Sequence, residues 1–128
     1  MGLKQSLQVM VVDDMSVSRA LITNALEEIG IVNYRVENDG QSALAKLVAQ
    51  PCHLVISDYN MPNLDGLGLL KGLREHRITQ RIGFILITGN ATGDVVSMGQ
   101  KYGMNNLIKK PFSSAQMKDA IQRVVGVL

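Results

Sequence analysis

The sequence has no tryptophan, and aromatic residues make up only 4% of it. A core must therefore come from Val, Ile, Leu, Met and Ala, and a hydrophobic content of 46% supplies enough of them to exclude a disordered chain. There is a single cysteine, Cys52, so an internal disulfide is excluded and a reducing compartment is expected. It opens an apolar run, which predicts a buried, inert thiol. No apolar run approaches the roughly 18 residues that a membrane span needs, and no long apolar signal segment leads the chain. The cytoplasm is the expected location, with no membrane partner. The net charge of +2 is too small to argue for nucleic acid. Nothing reads as a dimer seam, so a monomer is expected.

What is present is more informative. A length of 128 residues suits one domain. Residues 1–64 hold four Lys/Arg against seven Asp/Glu, whereas residues 65–128 hold nine against four. The acidic half contains a candidate cation site, and the basic half suits an acidic partner. In that half Lys101, Lys109, Lys118 and Arg123 are candidates for a basic face. Two short motifs carry little weight. Met1-Gly2-Leu3-Lys4-Gln5-Ser6 fits a myristoylation pattern but has no second anchor beside it. Asn90-Ala91-Thr92 fits a glycosylation sequon in a chain without a secretory signal.

Strand-like and helix-like segments alternate five times. Leu7 to Val12 reads as a buried strand. The helix after it carries Leu21, Ile22, Ala25, Leu26 and Ile29 at helical spacing and stops at Gly30. Asn33 to Glu37 is a weaker strand nearer an edge, Asn38-Asp39-Gly40 a turn, and the next helix shows Ala43, Leu44, Leu47 and Val48 before Pro51. His53 to Ser57 is the third strand, followed by a polar loop from Asp58 to Asp65 and a helix with Leu67, Leu70 and Leu73. Gly83 to Ile87 is the fourth strand. The segment from Thr88 to Gly103 contains Gly89, Gly93, Gly99 and Gly103, and each interior helical glycine costs about 0.5–1 kcal/mol against alanine. A marginal, mobile helix is predicted there. Asn106 to Lys109 is the fifth strand. Ser113 with Gln116 resembles a capping box opening a last helix, whose stripe is Met117, Ala120, Ile121, Val124, Val125 and Leu128.

Such alternation predicts an α/β fold, a single (βα)5 doubly wound parallel sheet of the flavodoxin-like kind with strand order 2-1-3-4-5. In that fold ligands sit beyond the C-terminal ends of the strands. Asp13 and Asp14 end the first strand, Ser57 and Asp58 the third, Thr88 the fourth, and Lys109 and Lys110 the fifth. Each alone has an ordinary reading: an acidic pair can cap a helix, and a lysine before proline is usually a surface loop. Their joint placement at four of five strand ends points instead to a site.

Like charges ~4 Å apart cost roughly 4 kcal/mol per pair at an effective dielectric of ~20, so three carboxylates in one crevice call for a cation. Oxygen ligands without His or Cys favour Mg²⁺, with Mn²⁺ as a substitute. An Asp carboxylate is also a nucleophile that can form an acyl phosphate, and phosphoryl transfer needs positioning and charge stabilisation above all. Lys110 and Thr88 would meet the phosphoryl oxygens. No general base is evident, so such a site receives a phosphoryl group and loses it slowly.

The stretches Val11-Val12-Asp13-Asp14, Ser57-Asp58-Tyr59-Asn60-Met61-Pro62-Asn63-Leu64-Asp65-Gly66-Leu67, Ile87-Thr88 and Lys109-Lys110-Pro111-Phe112 resemble the response-regulator receiver family, in particular its single-domain, CheY-like chemotaxis branch. The resemblance runs from about Leu7 to Val125 and implies one receiver domain over residues 1–128, with no output domain. It implies that Asp58 is the phosphoacceptor, that Asp13, Asp14, Asp58 and the Asn60 backbone carbonyl hold Mg²⁺, and that Thr88 and Lys110 are the switch hydroxyl and phosphate-binding lysine. It also implies a cis Lys110-Pro111 bond, a CheA-like histidine kinase as phosphodonor, and a flagellar switch protein as a partner. The family usually has an aromatic residue three positions before the lysine. This chain has Leu107 there, and Gly89 after Thr88 leaves room for loop motion. Three functions follow: a phosphorylation-gated docking module, a phosphate sink or relay for a shared kinase, and, least favoured, an aspartyl-phosphate phosphatase. Phosphatases of that kind place a second acid two residues after the nucleophile, where this chain has Asn60.

Overall fold

The computed structural model describes residues 3–128, so Met1 and Gly2 of the myristoylation pattern lie outside the described residues. The elements run α1 (Leu3–Ser6), β1 (Val9–Val12), α2 (Ser16–Ile29), β2 (Tyr34–Glu37), α3 (Gly40–Ala49), β3 (Leu54–Asp58), α4 (Gly66–Glu75), β4 (Gly83–Thr88), α5 (Gly93–Lys101), β5 (Asn106–Lys109) and α6 (Ser114–Val125). The five strands form one parallel sheet in the order β2-β1-β3-β4-β5, as expected.

Side chains alternate between the faces of a strand, and the sheet sorts its two cores that way. Val9 and Val11 of β1, Leu54 and Ile56 of β3, and Ile85 and Ile87 of β4 join Ile22 and Leu26 of α2 and Met117 and Ile121 of α6. Met10 and Val12, Val55, and Phe84 and Leu86 join Leu47 of α3, Leu70 and Leu73 of α4, and Val95 of α5. The three central strands are buried on both faces, which is why they read as continuous apolar runs. Strand β2, at one edge, is only partly buried.

Local signals explain most boundaries. Gly30 adopts a left-handed φ of 102° and ends α2, its N–H donating to the Leu26 and Glu27 carbonyls. Ser113 and Gln116 form the expected capping box. Four expectations change. The first strand begins at Val9, because Leu7 instead donates to the Leu3 carbonyl and closes the short α1. Leu21 is not core: it is 59% exposed, at the margin of the stripe that Ile22, Ala25, Leu26 and Ile29 bury. Asn38-Asp39-Gly40 is a helix start, with the Asp39 side chain accepting from the Ser42 N–H. Asp58 belongs to β3 as its last residue, not to the following loop. Cys52 is buried and free, and burial pushes its thiol pKa up. Among the described residues no helix is long and apolar enough to cross a membrane.

Candidate functional site

The C-terminal ends of β1, β3 and β4 are pinned side by side. Val12 stands opposite Ser57, and Asp58 opposite Ile87, so Asp13, Asp58 and Thr88 emerge together at one edge of the sheet. Carboxylate oxygens of Asp13, Asp14 and Asp58 lie within 4.8 Å of one another. Asp13 and Asp58 are buried whereas Asp14 is exposed, which gives the cluster a fixed floor and a solvent-facing arm.

Asp13 is held from several sides. Its Oδ1 accepts from the Met15 N–H at 3.0 Å and its Oδ2 from the Ser18 hydroxyl at 2.5 Å. Arg19 Nη1 donates to its carbonyl at 2.8 Å. Asp58 has a direct counter-charge: Lys110 Nζ lies 2.7 Å from its Oδ1. Burial pushes the Asp58 carboxyl above its ordinary value; the Lys110 ammonium opposes this, and the charges of Asp13 and Asp14 add to it. Burial is the larger cause, so this carboxylate sits where its own ionisation is disfavoured.

Thr88 is buried at the end of β4, and its Oγ1 accepts from the Asn90 N–H at 3.1 Å, which leaves its own proton to donate. Lys110 is set by the backbone: its N–H donates to the Thr88 carbonyl at 2.9 Å, and Lys110-Pro111 is the one cis peptide among the described residues, as expected. Asn60 is exposed in the loop that follows β3. The loop turns through Asn63, which has a left-handed φ of 68°, and closes where the Gly66 N–H donates to the Tyr59 carbonyl at 2.9 Å.

The structure thus brings together Asp13, Asp14, Asp58, Thr88 and Lys110. The donor set is all oxygen, with neither His nor Cys in the cluster, which fits a hard divalent cation such as Mg²⁺. Sequence reasoning missed Ser18, which links Asp13 to Lys110: Lys110 Nζ donates to Ser18 Oγ at 3.0 Å. The available signal was a Ser-Val-Ser-Arg run in the helix start after the acidic pair. Leu107 is half-buried in β5 and packs against the core that contains Phe84 and Val95. Lys101, Lys109 and Arg123 are exposed and Lys118 is half-buried, and Arg123 is paired with Asp119 at 2.9 Å.

Comparison with known proteins agrees with this fold. The family model described as the response regulator receiver domain matches residues 9–122. A probable chemotaxis protein CheY of Rhizobium etli is 37% identical over 128 residues, covering 100% of this chain and 99% of that protein. A Vibrio cholerae chemotaxis protein, CheY-3, is 30% identical over 95% of this chain and 94% of its own. Among solved structures, Vibrio cholerae chemotaxis protein CheY4 superposes with a TM-score of 0.85 at 26% identity, covering 92% of this chain and 98% of its own. The receiver domain of a Pseudomonas aeruginosa sensor histidine kinase, solved with a magnesium ion coordinated in its active-site cleft, superposes with a TM-score of 0.82 at 28% identity over 94% of this chain and 98% of its own.

Proposed function

The chain belongs to the response-regulator receiver family, and from that membership we propose that it is a receiver domain whose Asp58 accepts a phosphoryl group from a CheA-like histidine kinase. The observation that carries the reading is a buried Asp58, ion-paired to Lys110 at 2.7 Å and clustered with two further carboxylates.

In the reaction an Asp58 carboxylate oxygen attacks the phosphorus of the donor, the P–N bond of the phosphohistidine breaks, and its electron pair stays on the imidazole. The product is an acyl phosphate on Asp58. Asp13, Asp14, Asp58 and the Asn60 backbone carbonyl are the residues that would hold Mg²⁺, or Mn²⁺ in its place. When bound, the ion supplies positive charge against the carboxylates and the phosphoryl oxygens. Lys110 exchanges its contact with Asp58 for one phosphoryl oxygen, and the Thr88 hydroxyl donates to another. No side chain in the set is placed as a base for water, so the acyl phosphate is lost slowly. With Asn60 where a phosphatase needs an acid, the domain does not turn over outside substrates.

The domain acts in the cytoplasm as a monomer in chemotaxis control, without nucleic acid or membrane, and docks when phosphorylated on a flagellar switch protein. One observation favours a second reading, that of a phosphate sink or relay. Leu107 already packs against the inner core and has no ring to swing as Thr88 moves. Affinity for the N-terminal segment of the switch protein, with and without acetyl phosphate and Mg²⁺, separates the two: tighter binding on phosphorylation selects the motor, and no binding in either state selects the sink. The acceptor reading itself is tested by intact mass. With acetyl phosphate and Mg²⁺ the wild-type chain gains one phosphoryl group and Asp58→Asn gains none; a variant that still gains it overturns the assignment.

A further inference from the structure

Ser18 touches two charged groups of the site at once. Its hydroxyl donates to Asp13 Oδ2 at 2.5 Å and accepts from Lys110 Nζ at 3.0 Å, and the same ammonium lies 2.7 Å from Asp58 Oδ1. A hydroxyl has one proton and two lone pairs. Donating to a carboxylate while accepting from an ammonium is the only polarity that suits both neighbours, so the Lys110 ammonium donates to Asp58 on one side and, through the Ser18 hydroxyl, is linked to Asp13 on the other. Every link involves an ionised group, the class of hydrogen bond that is about twice as strong as a neutral one.

Lys110 needs such a partner more than Asp13 does. Asp13 is fully buried, and its other oxygen is fixed by the Met15 N–H. The Lys110 side chain, by contrast, is 32% exposed. Its ammonium ends a flexible four-carbon stem, and hydration competes with Asp58 for it. Ser18 is the second acceptor that keeps the ammonium turned inward. It comes from the first turn of α2, so the helix start adds to the backbone bond at Lys110 in setting where the charge sits.

We propose that Ser18 is a positioning residue for phosphoryl transfer: its hydroxyl holds the Lys110 ammonium against Asp58 and, through the same bridge, locks the angle of the Asp13 carboxylate. This rests on the acceptor reading above. A purely structural Ser18 would only satisfy a buried oxygen of Asp13, and its loss would lower stability without altering Lys110.

The test compares Ser18→Ala and Ser18→Thr with the wild-type chain in three measurements. They are the rate constant for phosphorylation at saturating acetyl phosphate and Mg²⁺, the hydrogen-exchange rate of the Lys110 ammonium seen by nitrogen-15 NMR without metal, and the melting temperature. Loss of one charge-assisted hydrogen bond predicts a rate constant about tenfold lower in Ser18→Ala. Its Lys110 ammonium should exchange faster, and Ser18→Thr should restore both. If Ser18→Ala matches the wild type in rate and exchange, the proposal is overturned while the acceptor reading stands. The proposal also falls if Ser18→Thr is as slow as Ser18→Ala, because the hydroxyl is then not what acts. A wild-type chain that takes up no phosphoryl group removes the acceptor reading itself, and this proposal with it. Should Ser18→Ala fail to fold, Ser18→Cys takes its place, since it keeps the shape and weakens both bonds.

Discussion

Glycines mark both the floor beneath Asp58 and the approach to α5, yet they do opposite things. A Cβ on Gly66 would lie 2.5 Å from the Asp58 carbonyl oxygen and 2.7 Å from Leu86 Cδ1, and one on Gly40 would lie 2.3 Å from the Leu64 carbonyl. At Gly89 and Gly93 an added Cβ would meet nothing within 4 Å. Under Asp58, glycine is there because backbone packs on backbone. Beyond Thr88 it leaves free space and a helix, α5, that buries only Val95 and Gly99. A group added to Asp58 would therefore meet a floor that does not yield and, past Thr88, a wall that can. The site is built on central strands, and it lies beside an edge helix with few buried residues.

Replacing Gly66 is the strongest way to break that contrast. Gly66→Ala forces the loop after β3 away from Asp58 and should cost about 1–3 kcal/mol, as overpacking does, which urea unfolding measures. A neutral result would mean that the floor yields after all. Next in size is the effect of charge. Burial raises the Asp58 carboxyl pKa, so the folded chain holds that proton more tightly than the unfolded one. Between the ordinary carboxylate value of about 3.9 and the raised one, metal-free stability should fall as pH rises. Asp58→Asn should remove that slope and melt higher than wild type at neutral pH, with the difference gone below the ordinary value; a lower melting temperature at neutral pH would contradict it. The smallest effect should come from the open side. Gly93→Ala should stabilise by about 0.4–1 kcal/mol through the unfolded chain and slow amide exchange in α5. A loss as large as that of Gly66→Ala would erase the distinction.

The order of elements and the strand-end residues were legible because a parallel sheet imposes both. Continuous apolar runs mark doubly buried strands, and polar residues at their ends have one crevice to enter. Asn106–Lys109 was read to the residue, and Gly30 and Ser113 announced their helix ends. What escaped needed the third dimension. Leu21 shares the helical period of Ile22 and Leu26 but lies just outside the arc that the sheet covers. Four residues of α1 are too few to show a period. Gly40 read as a turn residue, and the close packing at Gly66 went unread, because a sequence does not reveal which backbone will approach a glycine. Ser18 meets Lys110 across a separation of 92 residues, and no local spacing encodes that bond.

The most direct measurement is chemical localisation of the modification. The chain is incubated with acetyl phosphate and Mg²⁺, the acyl phosphate is reduced with a hydride so that the modified carboxyl becomes an alcohol, and the peptides are sequenced by mass spectrometry. The mark should fall on Asp58 alone, and its yield should collapse when Mg²⁺ is chelated. A mark on Asp13 or Asp14 with Asp58 untouched, or none on any residue, would contradict the account.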